Sequence, residues 1–127
     1  MEKTVLRRIR IAIVVALLAL VGVGVSACSS PAEPVAVSSD AVIIDVRTPA
    51  EFAAGHLEGA LNLDWNGGTL TSQVSKLPTD GEYLLYCKSG NRAGQALAAM
   101  QSAGFTNVTN LGSLQEASSA TGISIVK

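Results

Sequence analysis

The sequence predicts an α/β fold: one domain with a mainly parallel central sheet of four to five strands flanked by helices, within a chain of 127 residues. Three observations carry this expectation. The apolar runs AVIIDV (41–46) and EYLLYC (82–87) are near-continuous rather than alternating, as in strands buried on both faces. Segments with helical spacing follow the strand-like runs, and strands alternating with helices favour parallel pairing. Turn residues and helix-start signals fall where one period gives way to the other, and no internal repeat is present.

The elements follow in chain order. Residues 41–46 make the first strand, rich in β-branched side chains. In TPAEFAAG (48–55), Thr48 can cap a helix, Pro49 suits its first position, Glu51 completes a capping box and Gly55 ends the turn. ALNL (60–63) is a short second strand. TLTSQVSKL (69–77) sets Leu70, Val74 and Leu77 on one helical face. Residues 82–87 are the third strand. RAGQALAAMQSAG (92–104) is a helix with Ala93, Ala96, Leu97 and Met100 inward and Gly104 as its stop. NVTNL (107–111) is a fourth strand, SLQEASSA (113–120) a weak helix, and ISIV (123–126) a last strand.

Upstream of this domain the composition changes. MEKTVLRRIR carries four basic residues, and IAIVVALLALVGVGV (11–25) carries no charge. A charged start, an apolar middle and a small-residue exit are the parts of a secretory signal. The apolar stretch of 15 residues is shorter than the roughly 20 that span a bilayer, though an uncleaved anchor is the alternative. VSAC (25–28) resembles the lipobox of bacterial lipoproteins, which implies cleavage before Cys28 and lipidation of its thiol. The expected organisation is a signal at 1–27, a lipidated tether at 28–40 rich in Ser, Pro and Ala, and the domain at 41–127. The chain is then expected to be exported and held by its lipid on the periplasmic or extracytoplasmic side of a membrane.

Without the signal, five basic minus nine acidic side chains leave a charge of −4, which argues against a nucleic-acid partner. A monomer is the default expectation. With Cys28 lipidated, Cys87 is the last thiol, and an exported protein with one unpaired cysteine either buries it inertly or uses it.

Cys87 ends the third strand, and Lys88, Ser89, Gly90 and Asn91 form a short loop before Arg92 opens a helix. In parallel sheets, sites form at the carboxyl ends of strands. A tight loop can turn its N–H groups inward as an anion nest, and a helix N-terminus adds a partial positive charge. Gly90 permits the backbone conformation such a loop needs. These groups and the charges of Lys88 and Arg92 all favour thiolate over thiol, so Cys87 is expected to be a nucleophile beside a bound anion. The alternative is a buried, inert cysteine at a strand end.

YCKSGNRA resembles the active-site loop of rhodanese-fold sulfurtransferases, whose pattern is Cys-x-x-Gly-x-Arg. VIIDVRTPAEFAAGHLEGALNL resembles the first half of the same family, with Asp-Val-Arg, Glu-Phe and Gly-His-x-x-Gly-Ala-x-Asn in order. The two matches and the tail cover about residues 40 to 126, so the resemblance implies a single rhodanese-like domain. It also implies a persulfide relay. Cys87 takes a sulfane sulfur from thiosulfate or a similar small sulfur-containing anion and passes it to cyanide or a thiol. The loop Lys88, Ser89, Gly90, Asn91 and Arg92 is expected to bind the substrate: Lys88 and Arg92 draw in the anionic donor, with Arg92 as a loop brace the alternative, and Ser89, Gly90 and Asn91 shape the loop around it without joining the chemistry. Asp45 and Arg47 are expected to support the site as an ion pair or brace, His56 to hold a loop by hydrogen bonds, and Trp65 to pack beside the pocket. The chemistry requires no metal and no organic cofactor. Two departures stand out. Glu58 replaces a common Pro, and Gly112-Ser113 lacks the second glycine and the aromatic of the family, so the last helix is expected to be loose and the outer pocket wall weak.

Two other classes stay open. A phosphatase or arsenate reductase on the same scaffold uses a thiolate, a nest and an arginine, but with five residues between Cys and Arg where this chain has four. A non-catalytic anion- or partner-binding lipoprotein is the third reading, against which the retained Cys87 argues.

Overall fold

The computed structural model describes residues 34–127, so the expected signal, Cys28 and the first part of the tether lie outside the described residues. Four strands build the central sheet: β1 (Val42–Asp45), β3 (Leu61–Asn62), β4 (Glu82–Cys87) and β5 (Asn107–Ser113). Their order is β3-β1-β4-β5 and every pair is parallel, as the near-continuous apolar runs require. Two short strands, β2 (His56–Leu57) and β6 (Ile125–Val126), pair antiparallel apart from this sheet. The last predicted strand therefore closes a separate ribbon rather than a fifth place in the main sheet.

Helices α1 (Pro49–Ala54), α2 (Thr69–Gln73), α3 (Asn91–Ser102) and α4 (Leu114–Thr121) complete the chain. A 3-10 turn, Val74–Lys76, follows α2 directly. The expected helix over 69–77 tightens there because Pro78 disfavours helical geometry at Leu77.

Alternate residues of each strand supply two cores. Ile44, Leu85 and Cys87 face one side with Leu70, Ala96 and Met100. Ile43, Leu84 and Tyr86 face the other with Leu57, Leu114 and Ala117. Full burial of one Leu or Ile contributes roughly 1.5–3 kcal/mol, so both faces hold the sheet in register. The folded unit also takes in residues that the sequence reading assigned to the tether. Val35 and Val37 pack on the second core, and the Val35 N–H donates to the Ala120 carbonyl at 2.8 Å. Ser38 Oγ donates to Glu82 at 2.5 Å. Two valines provide apolar area that a Ser/Pro-rich composition conceals.

The helix expected to be loose is well begun. Ser113 caps α4 by accepting from the Glu116 N–H, and Glu116 accepts from the Ser113 N–H at 2.7 Å. Serine in place of the second glycine provides this cap, and Leu114 and Ala117 anchor the helix by burial.

Candidate active site

The strand order reverses between β1 and β4: the chain leaves β1 toward β3 on one side and leaves β4 toward β5 on the other. Such a switch point opens a crevice at the carboxyl ends of the two strands. Asp45 ends β1 and Cys87 ends β4, and both are fully buried.

Cys87 faces the start of α3. The N-cap of α3 is Gly90, at φ 87°, and it has no side-chain cap. The orphan N–H groups of this 12-residue helix therefore need another acceptor. The sulfur fills that need: Gly90 N–H donates to Cys87 Sγ at 3.0 Å. Burial opposes ionisation of the thiol, but the N–H groups of Ala93, Ser89, Gly90 and Arg92 outweigh it and hold the thiol below its usual range. The loop is thus a cradle of main-chain donors around one sulfur.

Gly90 is fixed from a third element. Leu85 pairs with Asn110 but Cys87 pairs with Ser113, so β5 carries one extra residue over this stretch. The irregularity brings Asn110 and Gly112 against the loop. Asn110 Nδ2 donates to the Gly90 carbonyl at 3.0 Å, and its Oδ1 accepts from Gly112 N–H at 2.9 Å. A side chain at Gly90 would stand 3.3 Å from Gly112 Cα, so glycine is required there by contact as well as by φ. The sequence reading missed Asn110. Its only signal was a polar residue inside the strand-like run NVTNL.

The charged residues divide into paired and unpaired. Arg92 donates through Nη1 and Nη2 to the two oxygens of Glu51, at 2.8 and 2.9 Å. Glu51 also accepts from Thr48 N–H and Oγ1, both at 3.0 Å, while its own N–H donates to Thr48 Oγ1. Held first by Arg92, the Glu51 carboxyl titrates at about 2. Asp45 and Arg47 form a buried pair, with Nη2 2.6 Å from Oδ2 and a further bond from Nη2 to the Gly55 carbonyl. The Arg47 guanidinium also lies 5.5 Å from the centre of the Tyr86 ring. Lys88, Ser89 and Asn91 are exposed, and Lys88 has no acidic partner among the described residues.

His56 stacks on Phe52 at 3.7 Å and its Nδ1 lies 3.0 Å from the Phe52 carbonyl, so it braces the turn after α1. Trp65 Nε1–H donates to Gln95, which in turn donates to Asn91. The indole lines an apolar cavity of 220 Å³ with Val74 and Met100, one that contains no residue of the loop. A cavity of 290 Å³ does adjoin the loop, lined by Arg47, Glu51, Ala54, Lys88, Leu114 and Gln115. The capped α4 thus supplies the outer wall that the sequence reading expected to be weak. Among the described residues, no three His, Cys, Asp or Glu side chains converge to hold a metal ion.

The chain is similar to known proteins in sequence and in fold. A family profile described as a rhodanese-like domain matches residues 34–120. A sulfurtransferase of Allochromatium vinosum is 36% identical over 74 residues, 58% of this chain and 67% of that protein. The thiosulfate sulfurtransferase GlpE of Pseudomonas entomophila is 32% identical over 83 residues, 65% and 74% of the two chains. The probable adenylyltransferase/sulfurtransferase MoeZ of Mycobacterium tuberculosis is 39% identical over 69 residues, but the match spans 54% of this chain and only 18% of that protein. Among solved structures, a rhodanese with anions from E. coli superposes with a TM-score of 0.55 at 27% identity, covering 68% of this chain and 98% of its own. A rhodanese-like domain from Anabaena sp. gives 0.59 at 26% identity, with coverage of 68% and 98%.

Proposed function

Because the chain belongs to the rhodanese-like domain family, we propose that it is a sulfurtransferase working through a persulfide on Cys87. The observation that carries this reading is the sulfur's position as acceptor for the start of α3, with Gly90 N–H at 3.0 Å and no competing side-chain cap. In the first step the Cys87 thiolate attacks the outer sulfur of a sulfane donor such as thiosulfate. The donor's S–S bond breaks, its electron pair leaves on sulfite or a thiolate, and a new S–S bond forms on Cys87. The main-chain N–H groups that lowered the thiolate's energy then face the charged persulfide. In the second step cyanide or a thiolate attacks the outer sulfur, and the electron pair returns to Cys87. Each step exchanges one bond for another, so no outside oxidant is needed.

In this reading Lys88 attracts the anionic donor, Arg92 braces the loop through Glu51, and Asp45 with Arg47 braces the neighbouring strand end. The spacing of four residues between Cys87 and Arg92 favours sulfur over a phosphoryl group, whose relatives use five. The test is intact-mass analysis of the full chain after thiosulfate. A gain of about 32 Da that disappears in Cys87→Ser is expected. No gain, or a gain that survives the substitution, overturns the proposal. The same proposal places the chain outside the cytoplasm, anchored through Cys28, on the strength of its basic, apolar and small-residue start. Detergent partitioning that is lost in Cys28→Ala supports the anchor, and equal partitioning of both forms removes it.

A further inference from the structure

The apolar cavity between α2 and α3 takes no part in the chemistry at Cys87. Its volume is 220 Å³. Of its lining residues, Leu70 and Met100 are buried, Trp65 and Val74 are half-buried, and Thr71, Ala99 and Ala103 are exposed. The cavity is therefore deep at the first pair and opens to the surface at the last three. Its sequence origin is plain. Positions 99 and 103 lie one helical turn apart and both are alanine, so methyl groups stand where longer side chains would fill the space.

The lining narrows the class of occupant. None of these side chains is charged, and the one hydroxyl is that of Thr71 at the mouth. A charged ligand would lose hydration there without gaining a counter-charge. The volume exceeds the about 150 Å³ of an apolar cavity that holds benzene. It falls short of the roughly 300 Å³ at which pockets for larger ligands begin. The indole of Trp65 and the thioether of Met100 both make favourable contacts with an aromatic guest. The match is to a single uncharged ring with a small substituent.

The same cavity is connected to the reactive loop. Trp65 Nε1–H donates to Gln95 Oε1 at 2.8 Å, and Gln95 Nε2 donates to Asn91 Oδ1 at 2.9 Å. Asn91 opens α3 between Gly90 and Arg92, whose N–H groups face Cys87 Sγ. A guest packed on Trp65 restricts the indole and, through these two bonds, restricts Asn91. We propose that a small uncharged aromatic molecule binds between α2 and α3 and tightens the Cys87 loop through Trp65, Gln95 and Asn91. This goes beyond sulfur transfer and does not depend on which group Cys87 carries.

The test uses the full chain with toluene as the probe and benzoate as its charged counterpart. Trp65 is the sole tryptophan, so its fluorescence reports on the cavity. Toluene is expected to give a saturable change with half-saturation at about 1 mM or below, and benzoate to bind at least about tenfold more weakly. Ala99→Leu and Ala103→Leu each fill the mouth from an exposed position, so the core is undisturbed. Each is expected to weaken toluene binding about tenfold. At saturating toluene the midpoint of Cys87 alkylation is expected to fall by about 0.3 pH unit, as the N–H groups are held on the sulfur. Gln95→Ala, also at an exposed position, is expected to keep the fluorescence titration and lose that fall. The inference is overturned by no saturable change, by equal affinity for benzoate, or by unaltered binding in both filling variants. An unmoved midpoint, or a fall that survives Gln95→Ala, overturns it as well. Whether Cys87 takes up sulfur is decided separately by the mass measurement, so the two readings fail independently.

Discussion

Two strand ends lie side by side in this molecule, and each buries a group that carries or can take negative charge. At the end of β1, Asp45 is neutralised by a side chain, Arg47, through three contacts of 2.6 to 3.1 Å. At the end of β4, Cys87 is met by main-chain N–H groups, and the nearby Arg92 is turned away onto Glu51. The first arrangement saturates its anion, and a saturated carboxylate does no chemistry. The second lowers the energy of a thiolate without covering it with a fixed counter-charge. Main-chain donors cannot be titrated away and do not leave with a product. The comparison teaches that what neutralises a buried anion decides whether it is structure or reagent.

The largest expected effect separates the two ends by function. Cys87→Ser removes the thiolate to which the proposed sulfur transfer is assigned, so the transfer rate should fall on the order of a thousandfold or more, with the fold retained because serine can accept the same N–H groups. Steady-state transfer assays with circular dichroism as a fold control check it. A variant with more than a tenth of the parent's rate breaks the comparison.

Asp45→Asn should show the opposite pattern. It leaves the Arg47 guanidinium buried beside a neutral amide, and breaking such a pair costs about 3–5 kcal/mol. Urea unfolding should register that loss, while the pH profile of Cys87 alkylation in the folded protein stays where it was. A shifted profile with unchanged stability would show that Asp45 belongs to the reagent and not to the frame.

Asn110→Ala tests the cradle from outside. Without the bond from Nδ2 to the Gly90 carbonyl, the loop loses its tether to β5 and its N–H groups lose their aim at the sulfur. One main-chain hydrogen bond to a charged acceptor corresponds to roughly one pKa unit, so the alkylation midpoint should move up by about that much. Asn110 is exposed, so stability should change little. An unmoved midpoint would show that the loop holds its own shape.

These residues also mark how far the sequence could be read. The boundaries of β4 were legible because its apolar run is bounded by a turn and by the polar loop KSGN. The cap of α1 was legible because Thr48 and Glu51 lie three residues apart and satisfy each other locally. Ser113 and Glu116 repeat that spacing, and the same rule could have strengthened the weak α4. Other features had no local signature. Strands β2 and β6 are two residues each, too short for any period to show. Asn110 acquires its partner from a register irregularity between β4 and β5, which only the assembled sheet defines. Glu51 and Arg92 are 41 residues apart and meet because β1 and β4 are neighbours.

Glu51 joins the two strand ends, and its substitution should give the smallest and most informative effect. It caps α1, which leaves β1, and it pairs with Arg92, which opens the helix after β4. Its carboxyl titrates at about 2 when folded, below its ordinary 4.5, so the folded state favours the ionised form. The stabilisation is therefore fully present above about pH 4.5 and drains away as pH falls toward 2. Glu51→Gln keeps an oxygen for Thr48 but removes the charge. The side chain is 30% exposed, so solvent screening limits the loss at neutral pH to about 1 kcal/mol. The clearer readout is slope: the parent's urea midpoint should fall more steeply than the variant's between pH 4.5 and 2. Parallel curves would mean that the pair contributes nothing. The same variant frees Arg92, whose charge already acts on Cys87. With no carboxylate opposing it, that charge should lower the thiol's alkylation midpoint by a few tenths of a unit. If stability loses its acid slope and the midpoint also falls, Glu51 draws from the reactive strand end the positive charge with which it steadies the inert one.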